Sequence, residues 1–207
     1  MNSLISIMGA GTMGLGIAQL AASRGDNVIL FDINQKVLNV AKKKLLNTLN
    51  KLIEKKKISI DDKNDIMNKI HWTVDIKDIS KSFLVIEAVV ENLDIKKKLF
   101  HDMENLVSSE CILATNTSSL SVSKIASACK NPERVLGLHF FNPVPIMQLV
   151  ELISIDQTKL KFQEAVRSKM ESWNKIVVIA KDTPGFIVNR LARPFYGEAL
   201  KIYEEGL

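Results

Sequence analysis

The sequence predicts an α/β fold: a doubly wound, mostly parallel sheet with antiparallel late strands, followed by one helix of an incomplete helical domain. Three observations predict it. Short apolar runs alternate with helical patterns along most of the chain. A glycine-rich turn joins the first strand to the first helix. The turn Asn142-Pro143-Val144-Pro145 joins two apolar segments but is too short for a helical crossover, so the second segment must fold back.

The strand candidates are SLISIM (3–8), NVILF (27–31), HWTV (71–74), FLVIEAV (83–89), CILAT (111–115), VLGLHFF (135–141), QLVELIS (148–154) and KIVVIA (175–180). Helical patterns fill 12–24, 35–56, 62–69, 92–107, 121–128 and 159–173. Pro184-Gly185, within DTPGF (182–186), breaks this rhythm. A helix follows over 186–205 with apolar residues on several sides. It is expected either to pack back on the sheet or to lack its partners. Residues 1–184 therefore read as one domain and 185–207 as the first helix of another.

At 207 residues, 46% of them apolar, the chain can bury a sizeable core. No run approaches the roughly 18 apolar residues of a membrane span. The amino terminus has no basic n-region or cleavage site, so neither a secretory signal nor a transit peptide is expected. Cys111 and Cys129 have no metal-binding or redox spacing, and two lone thiols suggest a reducing compartment such as the cytoplasm. Much of the net charge of +5 lies in AKKKLL and IEKKKI. Such runs are either a solvated helix face or a docking face for an anion. Nucleic acid is disfavoured, since there is no recognition motif and aromatics are only 6%.

Gly9, Gly11 and Gly14 satisfy G-x-G-x-x-G between a strand and a helix. The first glycine permits a tight turn, the second lets backbone approach a pyrophosphate, and the third lets helix and strand pack closely. The helix amino terminus then offers free N–H groups and a partial positive charge to phosphates. Asp32 closes the second strand, 18 residues beyond Gly14. A carboxylate there can accept both adenosine ribose hydroxyls and would repel a 2′-phosphate, so NAD is predicted over NADP.

His139 lies six residues before Pro145 and Glu151 six after it, so an antiparallel return brings them side by side. A carboxylate that fixes the tautomer and orientation of a histidine makes it a general base. A buried ion pair of no catalytic use is the other reading. His71 and His101 read as packing or surface residues. Asn116, Thr117, Ser118 and Ser119 form a polar run at the carboxyl end of a strand, the edge that faces the ligand crevice in open parallel sheets. They can cap the next helix or meet a ligand.

Taken together, GAGTMG, VIEAVVENLDIKKKLF, ATNTSSL, GLHFFNPVP with LVELI, and DTPGFIVNR resemble the 3-hydroxyacyl-CoA dehydrogenases over essentially the whole chain. The resemblance implies a Rossmann-type domain that binds NAD through Gly9, Gly11, Thr12, Met13, Gly14 and Asp32. It implies that Glu91 and Lys96 contact the nicotinamide ribose and that Asn116 lies near the nicotinamide. His139 matches the catalytic base, Glu151 its partner, Ser118 the hydroxyl that bonds the substrate oxygen, and Asn189 the residue that completes the substrate site. The implied reaction is reversible oxidation of a short (3S)-3-hydroxyacyl-CoA, of the 3-hydroxybutyryl type, to the 3-ketoacyl-CoA.

Family members carry a further helical domain that usually forms the dimer contact, and this chain stops within its first helix. NAD binding with weak or no turnover is therefore expected, in a monomer or a helix-exchanged dimer. Two alternatives stay open: the same chemistry on an acyl carrier protein thioester, or a non-catalytic NAD-binding module.

Overall fold

The computed structural model describes residues 3–206. The outermost residues of the two expected domains, 1, 2 and 207, lie outside that range. The strands are β1 (Leu4–Met8), β2 (Asn27–Phe31), β3 (Ile70–Thr73), β4 (Leu84–Glu87), β5 (Ile112–Thr115), β6 (Val135–Phe140), β7 (Leu149–Ser154) and β8 (Ile176–Lys181). The helices are α1 (Thr12–Ser23), α2 (Gln35–Glu54), α3 (Ile60–Asn68), α4 (Leu93–Glu104), α5 (Val122–Ala126), α6 (Leu160–Ser172) and α7 (Val188–Glu204).

One eight-stranded sheet has the order β3-β2-β1-β4-β5-β6-β7-β8. The first six strands are parallel, β7 is antiparallel to β6, and β8 is parallel to β7. Strand order reverses direction between β1 and β4, the switch point where a doubly wound sheet opens a crevice at its carboxyl edge.

The central strands are near-continuous apolar runs because both faces are covered. Their side chains divide by alternation. Ile5, Ile7, Leu84 and Ile86 pack with α1, α2 and α6 on one face. Met8, Val85 and Leu113 pack with α4 and α5 on the other. Burying each such side chain contributes about 1.5–3 kcal/mol. The stripe Leu38, Ala41, Leu45 and Leu49 docks α2, while Lys42, Lys43 and Lys44 between them stay exposed.

The structure adds local detail. Helix α3 starts two residues before the expected 62 because Ser59 and Asp62 form a capping box. Short 3₁₀ turns at Ile76–Lys81 and Pro132–Arg134 are added to the expected elements; Asp75 caps the first, whose Ile76 and Ile79 face the core, and Pro132 opens the second. Helix α7 does not pack back on the sheet. None of its residues is buried, and Leu191, Phe195 and Leu200 are each more than 60% exposed.

Candidate active site

The glycine turn comes first along the chain. Gly9 has φ +106°, which L side chains rarely adopt, and a Cβ there would lie 2.7 Å from the Ala88 carbonyl. A Cβ on Gly14 would lie 1.8 Å from the Gly9 carbonyl, so α1 packs on β1 only with glycine there. Gly11 differs: a Cβ would meet nothing within 4 Å. The fold does not need glycine at 11, and the space beside it fits a phosphate approaching the backbone.

Helix α1 starts at Gly11 with no side-chain cap and no acid in its first turn. By contrast, Asn34, Ser59, Asn92 and Ser121 cap α2, α3, α4 and α5. The first N–H groups of α1, at Thr12 and Met13 among others, are left for an anion. Asp32 accepts the Ala10 N–H at 2.9 Å on one oxygen and the Asn34 N–H at 3.0 Å on the other. Each oxygen keeps a lone pair for a ribose hydroxyl. These residues fit a dinucleotide without a 2′-phosphate.

The chemical half lies at the carboxyl ends of β4, β5 and β6. His139 and Glu151 are direct partners in the β6–β7 register, as the reversal about Pro145 predicts. His139 Nδ1 lies 2.7 Å from Glu151 Oε2, and both side chains are buried. The other Glu151 oxygen accepts the N–H groups of Ile187 and Val188, both at 2.9 Å. The carboxylate thus also holds the start of α7. Phe141 and Phe186 flank the imidazole with ring centroids 4.5 and 5.7 Å away. With Nδ1 bonded to the carboxylate, Nε2 is the nitrogen left for substrate, and His139 lines a cavity of about 240 Å³.

Met13, Ala88, Glu91, Asn116 and Ser118 share that cavity. Asn116 accepts the Phe140 N–H through Oδ1 at 2.9 Å, which ties β5 to β6 and leaves its amide N–H₂ for a ligand. Ser118 is held through its main chain: its N–H donates to Glu91 at 3.1 Å, and its carbonyl accepts from Asn189 Nδ2 at 3.1 Å. The Ser118 hydroxyl is thereby positioned but uncommitted. Asn189 is brought to Ser118, with its amide donor bonded to the loop itself. Lys96 is 1% exposed and lies behind the wall, with Nζ 2.6 Å from Glu87 and 3.1 Å from Glu91. Burial works to raise the Glu91 carboxyl, but the Thr117 hydroxyl and the Lys96 ammonium outweigh it and hold the group below its usual range.

The cap of α5 is not in the run 116–119. Ser121 caps the helix, and Asp182 adds to it by accepting the Ser121 and Ser123 hydroxyls and the Val122 and Ser123 N–H groups, all within 2.9 Å. Thr117 and Ser119 donate their hydroxyls to Glu91 instead. His71 pairs with Asp78 at 3.2 Å on the surface, and His101 is exposed on α4.

Two residues that position the site escaped the sequence reading. Glu87 sits inside the apolar run FLVIEAV, and its acid among β-branched neighbours was the available signal. Gly16 is the other: a Cβ there would meet Val144 Cβ at 3.0 Å, so the second turn of α1 touches the connection after His139.

A doubly wound sheet, a glycine turn at its switch point and a carboxylate-held histidine in the adjoining crevice define a dinucleotide-binding dehydrogenase domain. The chain belongs to the 3-hydroxyacyl-CoA dehydrogenase, NAD binding domain, family, which matches residues 4–183. It is 42% identical over 201 residues to 3-hydroxyadipyl-CoA dehydrogenase of Escherichia coli K12, covering 97% of this chain and 42% of that protein. It is 41% identical over 203 residues to 3-hydroxybutyryl-CoA dehydrogenase of Clostridioides difficile, covering 98% of this chain and 72% of that protein. The crystal structure of (S)-3-hydroxybutyryl-CoA dehydrogenase from Ralstonia eutropha superposes with a TM-score of 0.95 at 37% identity, over 100% of this chain and 73% of that one. The chain thus spans from under half to about three quarters of these relatives. Among the described residues, no helix is long and apolar enough to cross a membrane.

Proposed function

We propose that this chain is the cofactor-binding and catalytic unit of an NAD-dependent enzyme that interconverts (3S)-3-hydroxyacyl-CoA and 3-ketoacyl-CoA, with short acyl chains preferred. The observation that carries it is the His139–Glu151 pair, bonded at 2.7 Å and set on the wall of a crevice shared with Asn116 and Ser118. Bound NAD supplies the acceptor for the hydride from the substrate carbon.

In the oxidising direction His139 Nε2 takes the substrate hydroxyl proton. Glu151 holds Nδ1–H, fixes that tautomer and stabilises the imidazolium that forms. The Ser118 hydroxyl bonds the substrate oxygen, which becomes the ketone oxygen. Asn116 offers its free amide to the nicotinamide end, and Glu91 bonds the adjoining ribose. Asn189 holds the Ser118 loop in register with the base. Contacts along the CoA arm align the reacting carbon.

The names of the relatives favour a CoA thioester over an acyl carrier protein, and the bonded dyad favours an enzyme over a silent binding module. Residues 1–184 form the Rossmann domain in this reading, and 185–207 open a helical one; the exposed apolar side chains of α7 support that division. A dimer formed through such a domain and a cytoplasmic site of action belong to the same reading.

NADH fluorescence and absorbance with acetoacetyl-CoA test it. NADH is expected to bind the 207-residue chain more tightly than NADPH. His139→Gln should keep that binding within about twofold while any acetoacetyl-CoA-dependent oxidation of NADH falls by roughly 10²–10⁴. Failure to bind NADH, or full turnover by His139→Gln, overturns the proposal.

A further inference from the structure

Glu87 ends β4 and is 0% exposed. Its Oε1 accepts the Val89 N–H at 2.7 Å and the Lys96 ammonium at 2.6 Å, and its Oε2 accepts the Thr115 hydroxyl at 2.7 Å. Its main-chain carbonyl takes the Asn116 N–H at 2.8 Å. Lys96, itself buried, carries the connection on to Glu91 at 3.1 Å, and Glu91 bonds the Ser118 N–H. Val89, Glu91, Asn116 and Ser118 all line the catalytic cavity. Each is tied to Glu87 directly or through Lys96 and Glu91.

A neutral residue with the same shape would serve such a tie. A charged carboxylate is costly to bury unless its charge is compensated. Here the compensation is incomplete: two carboxylates share one ammonium, so the cluster carries a net charge of about −1 against the crevice wall. The nicotinamide ring is cationic when oxidised and neutral when reduced. A fixed negative charge behind the wall acts on one form and not the other.

We propose that Glu87 is a positioning residue whose buried charge, shared through Lys96 with Glu91, shifts the relative affinity of the crevice toward the oxidised cofactor. This builds on the reading of the cavity as the nicotinamide site. Hydrogen bonds to the ribose are common to both redox forms and cancel in the ratio of their affinities. The Glu151 charge is unchanged by a substitution at 87 and cancels likewise.

Equilibrium binding of NAD⁺ and of NADH to the full chain, by calorimetry and by nicotinamide fluorescence at one ionic strength, tests the proposal. Glu87→Gln keeps the shape and removes the charge. The ratio of the NAD⁺ dissociation constant to that of NADH is expected to rise roughly tenfold, chiefly through NAD⁺. Thr115→Val removes a hydrogen bond and no charge, so it should weaken both forms in parallel and leave the ratio alone. A purely structural Glu87 predicts parallel weakening in both variants, and that result overturns the proposal. Glu91→Gln removes the same net charge at a partly exposed position. If Glu87→Gln does not fold, Glu91→Gln must shift the ratio in the same direction, and an unchanged ratio overturns the proposal. A wild-type chain that binds neither cofactor overturns the reading of the cavity together with the inference built on it.

Discussion

Glu151 holds His139 with one carboxylate oxygen, at 2.7 Å, and the first N–H groups of α7 with the other, at 2.9 Å. Orientation of the imidazole and the placement of the chain after β8 therefore meet in a single side chain. Glu151→Gln should lower turnover by about 10²-fold or more, because the amide cannot stabilise the imidazolium. It should also weaken the start of α7. Hydrogen exchange at Ile187 and Val188 is the second readout, and unchanged protection there would contradict the double role.

The glycines of the first turn should separate fold from ligand. Gly14→Ala places a methyl 1.8 Å from the Gly9 carbonyl and should cost at least about 1–3 kcal/mol or prevent folding. Gly11→Ala meets no atom within 4 Å and should cost within about 1 kcal/mol. It should still weaken NAD binding by tenfold or more. Thermal melts set beside cofactor titrations check both, and the expectation fails if the two variants behave alike.

Asp32 is expected to set the choice between cofactors. Asp32→Asn removes the charge that would repel a 2′-phosphate while keeping an acceptor for the Ala10 N–H. The ratio of NADPH to NADH affinity should rise by about tenfold. An unchanged ratio would mean that selectivity resides elsewhere on the loop.

Asp182 should contribute stability with a definite pH dependence. Burial works to raise its carboxyl, but the hydrogen bonds from Ser123, Val122 and Ser121 outweigh it and hold the group low. A folded value below the unfolded one means that its contribution is present above about pH 4 and is lost as the pH falls through the folded value. Asp182→Asn should cost about 1–2 kcal/mol at neutral pH. The stability difference between the two proteins in urea melts should shrink as the pH falls below about 4, and a constant difference would contradict this.

The two thiols should be inert. Burial pushes Cys111 and Cys129 up to about 12, with Glu104 adding to the effect at Cys129 and Arg134 opposing it at both. At pH 8 almost none is thiolate, so alkylation of the native chain should be slow and should accelerate on unfolding. Rapid stoichiometric labelling of folded protein would show otherwise.

Much of the architecture was legible because its signals are local. Apolar runs, the glycine spacing and a turn too short for a crossover are enough to place all eight strands and to set His139 opposite Glu151. What stayed hidden depends on contacts across sequence distance. The tie between Asp182 and α5 joins residues about sixty apart, and nothing periodic announces it. Glu87 stands out in the sequence only as an acid in an apolar run, and nothing local names its partners Lys96 and Thr115, nine and twenty-eight residues away. Lys96, expected at the ribose, lies behind Glu91 because α4 turns that side chain inward. The 3₁₀ turns are too short for their signals, the Ile76 and Ile79 spacing and Pro132, to be told from those of a loop.

The contact between Gly16 and Val144 makes α1 a strut with two ends. Its first turn carries N–H groups that no side chain caps, and its second lies against the connection that follows β6. A side chain at position 16 would press on Val144, so the spacing between α1 and that connection is fixed by this glycine.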